Sequence, residues 1–421
     1  MRSSEANMMR NLCAPAAFLL FFVFLGGQAL ASPLTFTAQA AATEESQKFA
    51  SGQLTAPGQP AEPGLTEGQR TISAQQAVTM LSKAAEGGDA EAMMGLASFY
   101  EQGLGVPRDM TKALSWYEKA AGQNFPNAFY QLGLAYEAGK GVKADREQAL
   151  KNFQKAAELK VAEAPYKLAS LAMTSTPAKP DEKKALEYLK AGGITGAQAM
   201  ETIGTFYENG VGVAPNYSTA FNWYKKAAEA GRAEALFRLG ICYETGFGAA
   251  VDPQAALAAF QKASDLKMGA ASYKLAAIYL GGVLIPPDSK KAVAYLQTAL
   301  ANGHAVAANE LGVIYLQGRL DQPLDTDKAL EMFLKSAELG NAEAMKNIAV
   351  MYKNGLGRKQ DPAQALRWYL IAAKAGYKAE GLEGLIGEMK TALTPEQVKA
   401  QEEAADKWLA AAAAKRNQAA K

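Results

Sequence analysis

Side chains able to do covalent or metal chemistry are scarce in this chain of 421 residues, which holds one histidine, His304, and two cysteines, Cys13 and Cys242. A Ser-His-Asp or Cys-His arrangement and a zinc site both need nitrogen or sulfur groups that converge. Neither has enough material here. His304 follows Gly303 and reads as a turn residue. Cys242 stands where comparable segments hold Phe99, Phe206, Ile278, Ile314 and Met351, so it reads as a small buried hydrophobe. Carboxylates are plentiful, but Asp109, Asp145, Asp181, Asp252, Asp288 and Asp361, with Asn216 in the same series, recur at near-constant spacing. That is the pattern of helix caps, not of an acid–base pair. The sequence therefore nominates no catalytic, cofactor-binding or metal-ligating residue and calls for no cofactor.

Recognition is the chemistry that remains. The 44 Lys and Arg nearly balance the 42 Asp and Glu, for a net charge of +2 without a basic stripe, so nucleic acid is not an expected partner. Trp116, Trp223 and Trp368 could stack against sugars, but their regular spacing reads as packing. A polar series is more suggestive: Gln131, Lys167, Thr202, Arg238, Lys274, Glu310 and Asn347 stand 35 to 37 residues apart. Their identities vary while the apolar neighbours stay alike. Such a column fits an exposed helix face that recognises a protein or peptide, and equally a helix face that is merely solvated.

The elements that carry this series repeat. Tyr100, Tyr136, Tyr207, Tyr243, Tyr279, Tyr315 and Tyr352 mark units of 36 residues, with Ala172 standing in the double gap after Tyr136. Such a period signals a solenoid. Four and three residues before the marker stand a branched apolar residue and a small one, as in Leu132-Gly133, Ile203-Gly204, Leu239-Gly240, Leu275-Ala276, Leu311-Gly312 and Ile348-Ala349. Both share a helical face with the marker, and the small residue admits a second helix. A glycine loop follows, as in Gly103 and Gly105, Gly210 and Gly212, or Gly355 and Gly357. The Asp or Asn nine residues past the marker then caps the second helix, twice with proline next, at Pro253 and Pro362. In the seventh unit the cap is expected at Asp325, one residue late, which accounts for the 37-residue interval before Tyr352. Glycines such as Gly231, Gly303, Gly340 and Gly376 close the second helices. Composition agrees with an all-α chain, rich in Ala, Leu, Lys and Glu.

The combined pattern, most complete in Glu91, Ala92, Gly103, Gly105, Val106, Asp109, Lys112, Ala113, Trp116, Tyr117, Lys119, Ala120 and Ala121, resembles the Sel1-like repeat, a relative of the tetratricopeptide repeat. The resemblance implies a right-handed α/α solenoid of about eight helix-turn-helix repeats over residues 89–376. It also implies a non-catalytic scaffold or adaptor that binds a protein or peptide along a concave groove. The third unit departs most, because residues 174–180 replace its glycine loop. A cysteine-rich group of such proteins is linked to β-lactam hydrolysis, but this chain lacks those cysteines. A hydrolase of that type and a cell-wall or glycan binder are the alternatives. Residues 71–88 resemble a lone second helix and serve as an N-terminal cap. Residues 377–421 form C-terminal capping helices, one opened by the capping box Thr394-Pro395-Glu396-Gln397, with fraying expected after Ala414.

Residues 1–31 read as a secretory signal peptide: Arg2 and Arg10, an apolar run from Ala16 to Gly27, then Ala29 and Ala31 before Ser32. Residues 32–70 are rich in Ala, Gln, Gly and Pro and read as a flexible linker. Export to the periplasm, or to the exterior, follows from this reading, with no membrane span left after cleavage. Cleavage is expected after Ala31. Mass spectrometry of the chain recovered from a periplasmic fraction should give a mature form starting at Ser32; an intact N-terminus held in the membrane fraction would refute the cleavage site.

Overall fold

A computed structural model describes residues 74–174, 179–282 and 285–419. The expected signal peptide, linker and first three residues of the N-terminal cap lie outside them, as does part of the third unit's loop. The described residues hold nineteen helices and no strand, and fall into two units, residues 74–230 and 231–419.

The first unit contains α1 (Ala74–Glu86), α2 (Ala90–Gln102), α3 (Met110–Gly122), α4 (Pro126–Ala138), α5 (Arg146–Glu158), α6 (Ala164–Met173), α7 (Glu182–Ala191), α8 (Gly196–Asn209) and α9 (Tyr217–Glu229). The second contains α10 (Ala233–Thr245), α11 (Pro253–Asp265), α12 (Gly269–Gly281), α13 (Ser289–Ala301), α14 (Ala305–Gln317), α15 (Thr326–Glu338), α16 (Ala342–Asn354), α17 (Pro362–Lys374), α18 (Leu382–Thr391) and α19 (Pro395–Ala419). Within each unit, helices pack as antiparallel-type pairs, α2 on α3, α4 on α5, and so on, and each pair packs on the next. This is an α/α solenoid, built as the repeat requires.

One local device closes every pair. The capping residue turns its backbone N–H back onto the carbonyl of the marker position: Asp109 on Tyr100 at 2.9 Å, Asn216 on Tyr207 at 2.8 Å, Asp361 on Tyr352 at 3.0 Å. The same bond forms where the marker is Ala172, from Asp181 at 3.1 Å, and where the loop is longer, from Asp325 to Tyr315 at 2.9 Å. Asp325 also accepts the Lys328 N–H at 2.9 Å, which makes it the cap one residue late. These caps satisfy N–H groups that a helix start leaves unpaired. The second loop glycine has a separate reason: a Cβ on Gly105 would lie 2.6 Å from the Ala74 backbone, and one on Gly212 2.6 Å from the Ser170 carbonyl. At these two positions the loop lies against a helix of the preceding repeat, α1 or α6.

Within a pair, the small residue three before the marker meets a large side chain seventeen or eighteen past it. A Cβ on Gly133 or Gly204 would sit 2.6 Å from the ring of Phe153 or Tyr224, and one on Gly240 or Gly312 nearer still to Phe260 or Phe333. All four rings are at most 1% exposed. Where the small residue is alanine, the partner is Tyr117, Leu189, Leu296 or Tyr369, also buried. Two helix axes can approach this closely only because one side offers no side chain, and the ring then fills the gap at core density.

The ends differ from the middle. At the front, α1 packs on α2 and buries Ala77 and Ala85. At the back, α18 and α19 both pack on α17, with Trp368 and Trp408 edge to face at 5.0 Å. The capping box at Thr394 forms in both directions: Gln397 N–H donates to Thr394 Oγ1 at 3.3 Å and Thr394 N–H to Gln397 Oε1 at 2.9 Å. Helix α19 does not stop at Ala414, where fraying is expected, but continues to Ala419. Lys415 holds the Glu338 carboxylate at 3.2 Å and Arg416 the Glu338 carbonyl at 3.0 Å, which caps the C-terminal end of α15 as well.

The close approach is testable. Gly312→Ala should lower stability by about 1–3 kcal/mol through overpacking against Phe333. The double variant with Phe333→Leu, which copies the Ala276 and Leu296 pairing, should recover part of the loss. Urea denaturation of the mature chain followed by circular dichroism reads both. An unaltered midpoint for the single variant would contradict the packing.

Candidate partner-binding surface

The polar series lies along the first helix of each pair, where the pairing just described fixes it. Six of its seven members are half-buried, not fully solvated as the sequence suggests, and Lys167, Lys274 and Asn347 reach back to the preceding pair. Thr202 is buried, at 7% exposure, and its hydroxyl donates to the Gln198 carbonyl at 2.9 Å. Thr202 is therefore spent on its own helix, and its place in the series is a correction to the expected recognition face. Gln131 and Arg238 are half-buried on α4 and α10.

Two members form the same inter-pair tie. Lys167 on α6 reaches Glu137 on α4 at 2.9 Å, and Lys274 on α12 reaches Glu244 on α10 at 2.8 Å. Each glutamate directly follows a marker tyrosine, so the tie recurs with the repeat. Asn347 on α16 donates to the Oδ1 of the buried Asn309 on α14 at 2.9 Å, and accepts from Lys346 at 2.7 Å. Glu310 on α14 differs. Burial and the nearby Glu343 push its carboxyl above the usual range, and Arg319 only partly opposes them. Within each unit the members of the series stand on successive first helices.

Beside this series runs a second that the sequence reading missed, one residue earlier in each repeat: Tyr130, Tyr166, Phe237 and Tyr273, interrupted by Glu201 after Tyr166 and followed by Asn309 and Lys346. Their shared spacing with the markers is the signal that could have exposed them. Tyr130 stacks tilted on Phe153 at 5.6 Å and Phe237 on Phe260 at 5.4 Å, so the outer ring rests on the buried ring of the second helix. Burial, with Glu163 and Glu137 nearby, pushes the Tyr130 phenol up to about 12. Tyr273 is pushed to about 12 by burial, then by Glu310 and Glu343.

His304 is more than a turn residue. It is the N-cap of α14, its Nδ1 accepting the Ala307 N–H at 3.3 Å. Its ring stacks on Tyr273 at 4.6 Å, and burial lowers its pKa, which keeps the imidazole neutral near pH 7. Cys242 is buried, at 8% exposure. Trp223 and Trp368 are buried, whereas Trp116 is half-buried with Lys119 Nζ 3.7 Å from its ring centre. Two of the three tryptophans that a glycan-binding face would use therefore serve the core.

Other side chains tie the pairs together. Tyr117 donates to Glu101 at 2.9 Å, and Tyr224 donates to Glu208. Burial, reinforced by Glu101, raises the Tyr117 phenol, so it remains a donor at any physiological pH. Glu182 accepts both Tyr207 at 2.7 Å and the Trp223 indole at 3.2 Å. Among the described residues, no three His, Cys, Asp or Glu side chains are placed to hold a metal ion, and no helix is long and apolar enough to cross a membrane.

A comparison with curated protein sequences gives no match. Among solved structures, a protective antigen of uropathogenic Escherichia coli with an SLR fold is 23% identical, covering 87% of this chain and 82% of its own, with a TM-score of 0.36. A Sel1 repeat protein from Oxalobacter formigenes is 28% identical over 62% of this chain and 91% of its own, with a TM-score of 0.30. An immunity protein from Pseudomonas aeruginosa is 24% identical over 51% and 82%, with a TM-score of 0.32. The Sel1 repeat model matches nine segments: residues 64–89, 90–125, 126–161, 162–192, 197–231, 233–268, 269–304, 305–341 and 342–377. The first covers the whole stretch read as an N-terminal cap, and the others follow the helix pairs. By these matches, which span most of its length, the chain belongs to the Sel1 repeat family.

Proposed function

We propose that the chain is a non-catalytic adaptor of the bacterial envelope that binds a protein or peptide along the first helices of its pairs. Sel1 repeat proteins are generally protein-interaction scaffolds, and the reading rests on that together with one observation. The polar side chains along those helices differ in charge and type from repeat to repeat, while the pairing beneath them always sets a small residue, Gly or Ala, against a large buried side chain. A surface free to vary over a fixed core is what a scaffold needs for specificity. The envelope location draws support from the N-terminal pattern of Arg2, Arg10, the apolar run to Gly27 and Ala29-Leu30-Ala31.

The test uses the mature chain from Ser32 as bait in a periplasmic extract, beside the same chain carrying Arg238→Glu, Lys274→Glu and Glu310→Lys. Circular dichroism first establishes that the variant is folded, since Lys274→Glu also breaks the tie to Glu244. A partner retained by the unaltered chain and reduced at least tenfold with the variant is the expected result. Partners retained equally by both would refute recognition along these helices.

A further inference from the structure

The side-chain hydrogen bonds between α16 and α14 run in one direction. Lys346 Nζ donates to Asn347 Oδ1 at 2.7 Å, and Asn347 Nδ2 donates to Oδ1 of Asn309, on the first helix of the preceding pair, at 2.9 Å. An ammonium has donors only, so the atom that Asn347 turns toward Lys346 must be its oxygen. Its nitrogen then faces Asn309, which must turn its own oxygen to meet it. The lysine thereby fixes two amides that, as a bare pair, could point either way. Both amide oxygens are engaged, and what the pair has left to offer is N–H groups. Asn309 is only 4% exposed, yet among the described residues its Nδ2 makes no hydrogen bond, and that atom is not sealed from solvent. A nearly buried donor without a partner is unfavourable unless an acceptor reaches it from outside. Where other repeats place Tyr130, Tyr166, Phe237 or Tyr273 at this position, a ring stands in place of the amide.

We propose that Asn309 and Asn347 hold a main-chain carbonyl of an extended partner segment, the free Nδ2 hydrogens donating to its oxygen while Lys346 keeps both amides turned that way. The inference rests on the adaptor reading and names the partner's chemistry. The acceptor is a neutral carbonyl and not a carboxylate: Glu310 adjoins Asn309 in sequence, and Glu343 stands one helical turn before Lys346 and Asn347 on α16, so the carboxylates of this neighbourhood outnumber its one ammonium and disfavour another anion. A polypeptide offers carbonyls of this kind at every residue, whatever its side chains. The contact therefore contributes affinity that is independent of sequence, and the variable polar series is left to discriminate between partners.

The test titrates the mature chain, carrying isotope-labelled asparagine, with N,N-dimethylacetamide, whose tertiary amide offers a carbonyl and no N–H, and with acetate as the anionic counterpart. The side-chain NMR signal of Asn309, assigned by its loss in Asn309→Ala, reports binding. Two variants reverse the relay without removing it. In Asn347→Asp the new carboxylate takes the Asn309 N–H, so Asn309 turns over and presents its oxygen. In Lys346→Glu the carboxylate takes the Asn347 N–H, and both amides turn over. Circular dichroism establishes that each variant is folded. The expected result is a saturable shift with dimethylacetamide, with affinity at least tenfold weaker for acetate and at least tenfold weaker in either variant. No saturation, an equal or stronger response to acetate, or an undiminished response in a folded variant would overturn the proposal. A captured partner lost with Arg238→Glu, Lys274→Glu and Glu310→Lys but kept in full by both reversing variants would also overturn it, while leaving the adaptor reading intact. Partners indifferent to every variant would instead remove that reading.

Discussion

The structure depends on how closely two helices of a pair can approach. Gly133, Gly204, Gly240 and Gly312 give the first helix a flat spot, and Phe153, Tyr224, Phe260 and Phe333 press into it. A side chain at these four positions would occupy the ring's own space. Wherever the small residue is glycine its partner is aromatic, whereas the alanines face a leucine, Leu189 or Leu296, or a tyrosine, Tyr117 or Tyr369. Van der Waals contact falls off steeply with separation, so this interlock fixes the distance and rotation of the pair. Everything on the outer surface inherits that geometry.

The loop bond adds the second dimension of the register. With the cap N–H on the marker carbonyl, each second helix starts at a fixed point relative to the end of the first. The seventh pair shows how the bond absorbs variation. Leu320 and Asp321 adopt left-handed backbone angles, with φ of 54° and 60°, and the extra residue is accommodated before Asp325. The insertion stays in the loop because the bond and the interlock on either side are both kept.

Much of this was legible from residue types alone. Markers, small residues, loop glycines, Asp caps and the capping box at Thr394 are local signals, each with a backbone reason confined to a few residues. The large side chain opposite each glycine was not legible as a partner, because a pairing across a loop has no sequence-local signature. The same holds for the Tyr273 and His304 stack, which joins one unit to the next. Burial of the polar series was misjudged for a related reason. A polar residue at regular spacing looks solvated on an isolated helix, but Thr202 bonds its own backbone and Lys167 and Lys274 lie across to neighbouring glutamates. Likewise, only the stacking of α19 on α17 brings Lys415 and Arg416 to the end of α15.

Half-burial changes what the polar series can do. A fully exposed charge contributes little to recognition, because water screens it in both the free and the bound state. A charge partly shielded by neighbouring helices interacts more strongly, but leaving it unpaired is unfavourable. Ties such as Lys167 with Glu137 resolve that conflict inside the molecule and hold one first helix to the next. Glu310 does not resolve it: burial and Glu343 both disfavour its charge, and Arg319 compensates only in part. An interlocked core can tolerate such a locally unfavourable group because the pairing beneath it does not depend on surface charge. The same rigidity that makes the core insensitive to surface identity therefore lets individual units keep groups whose charge is locally disfavoured.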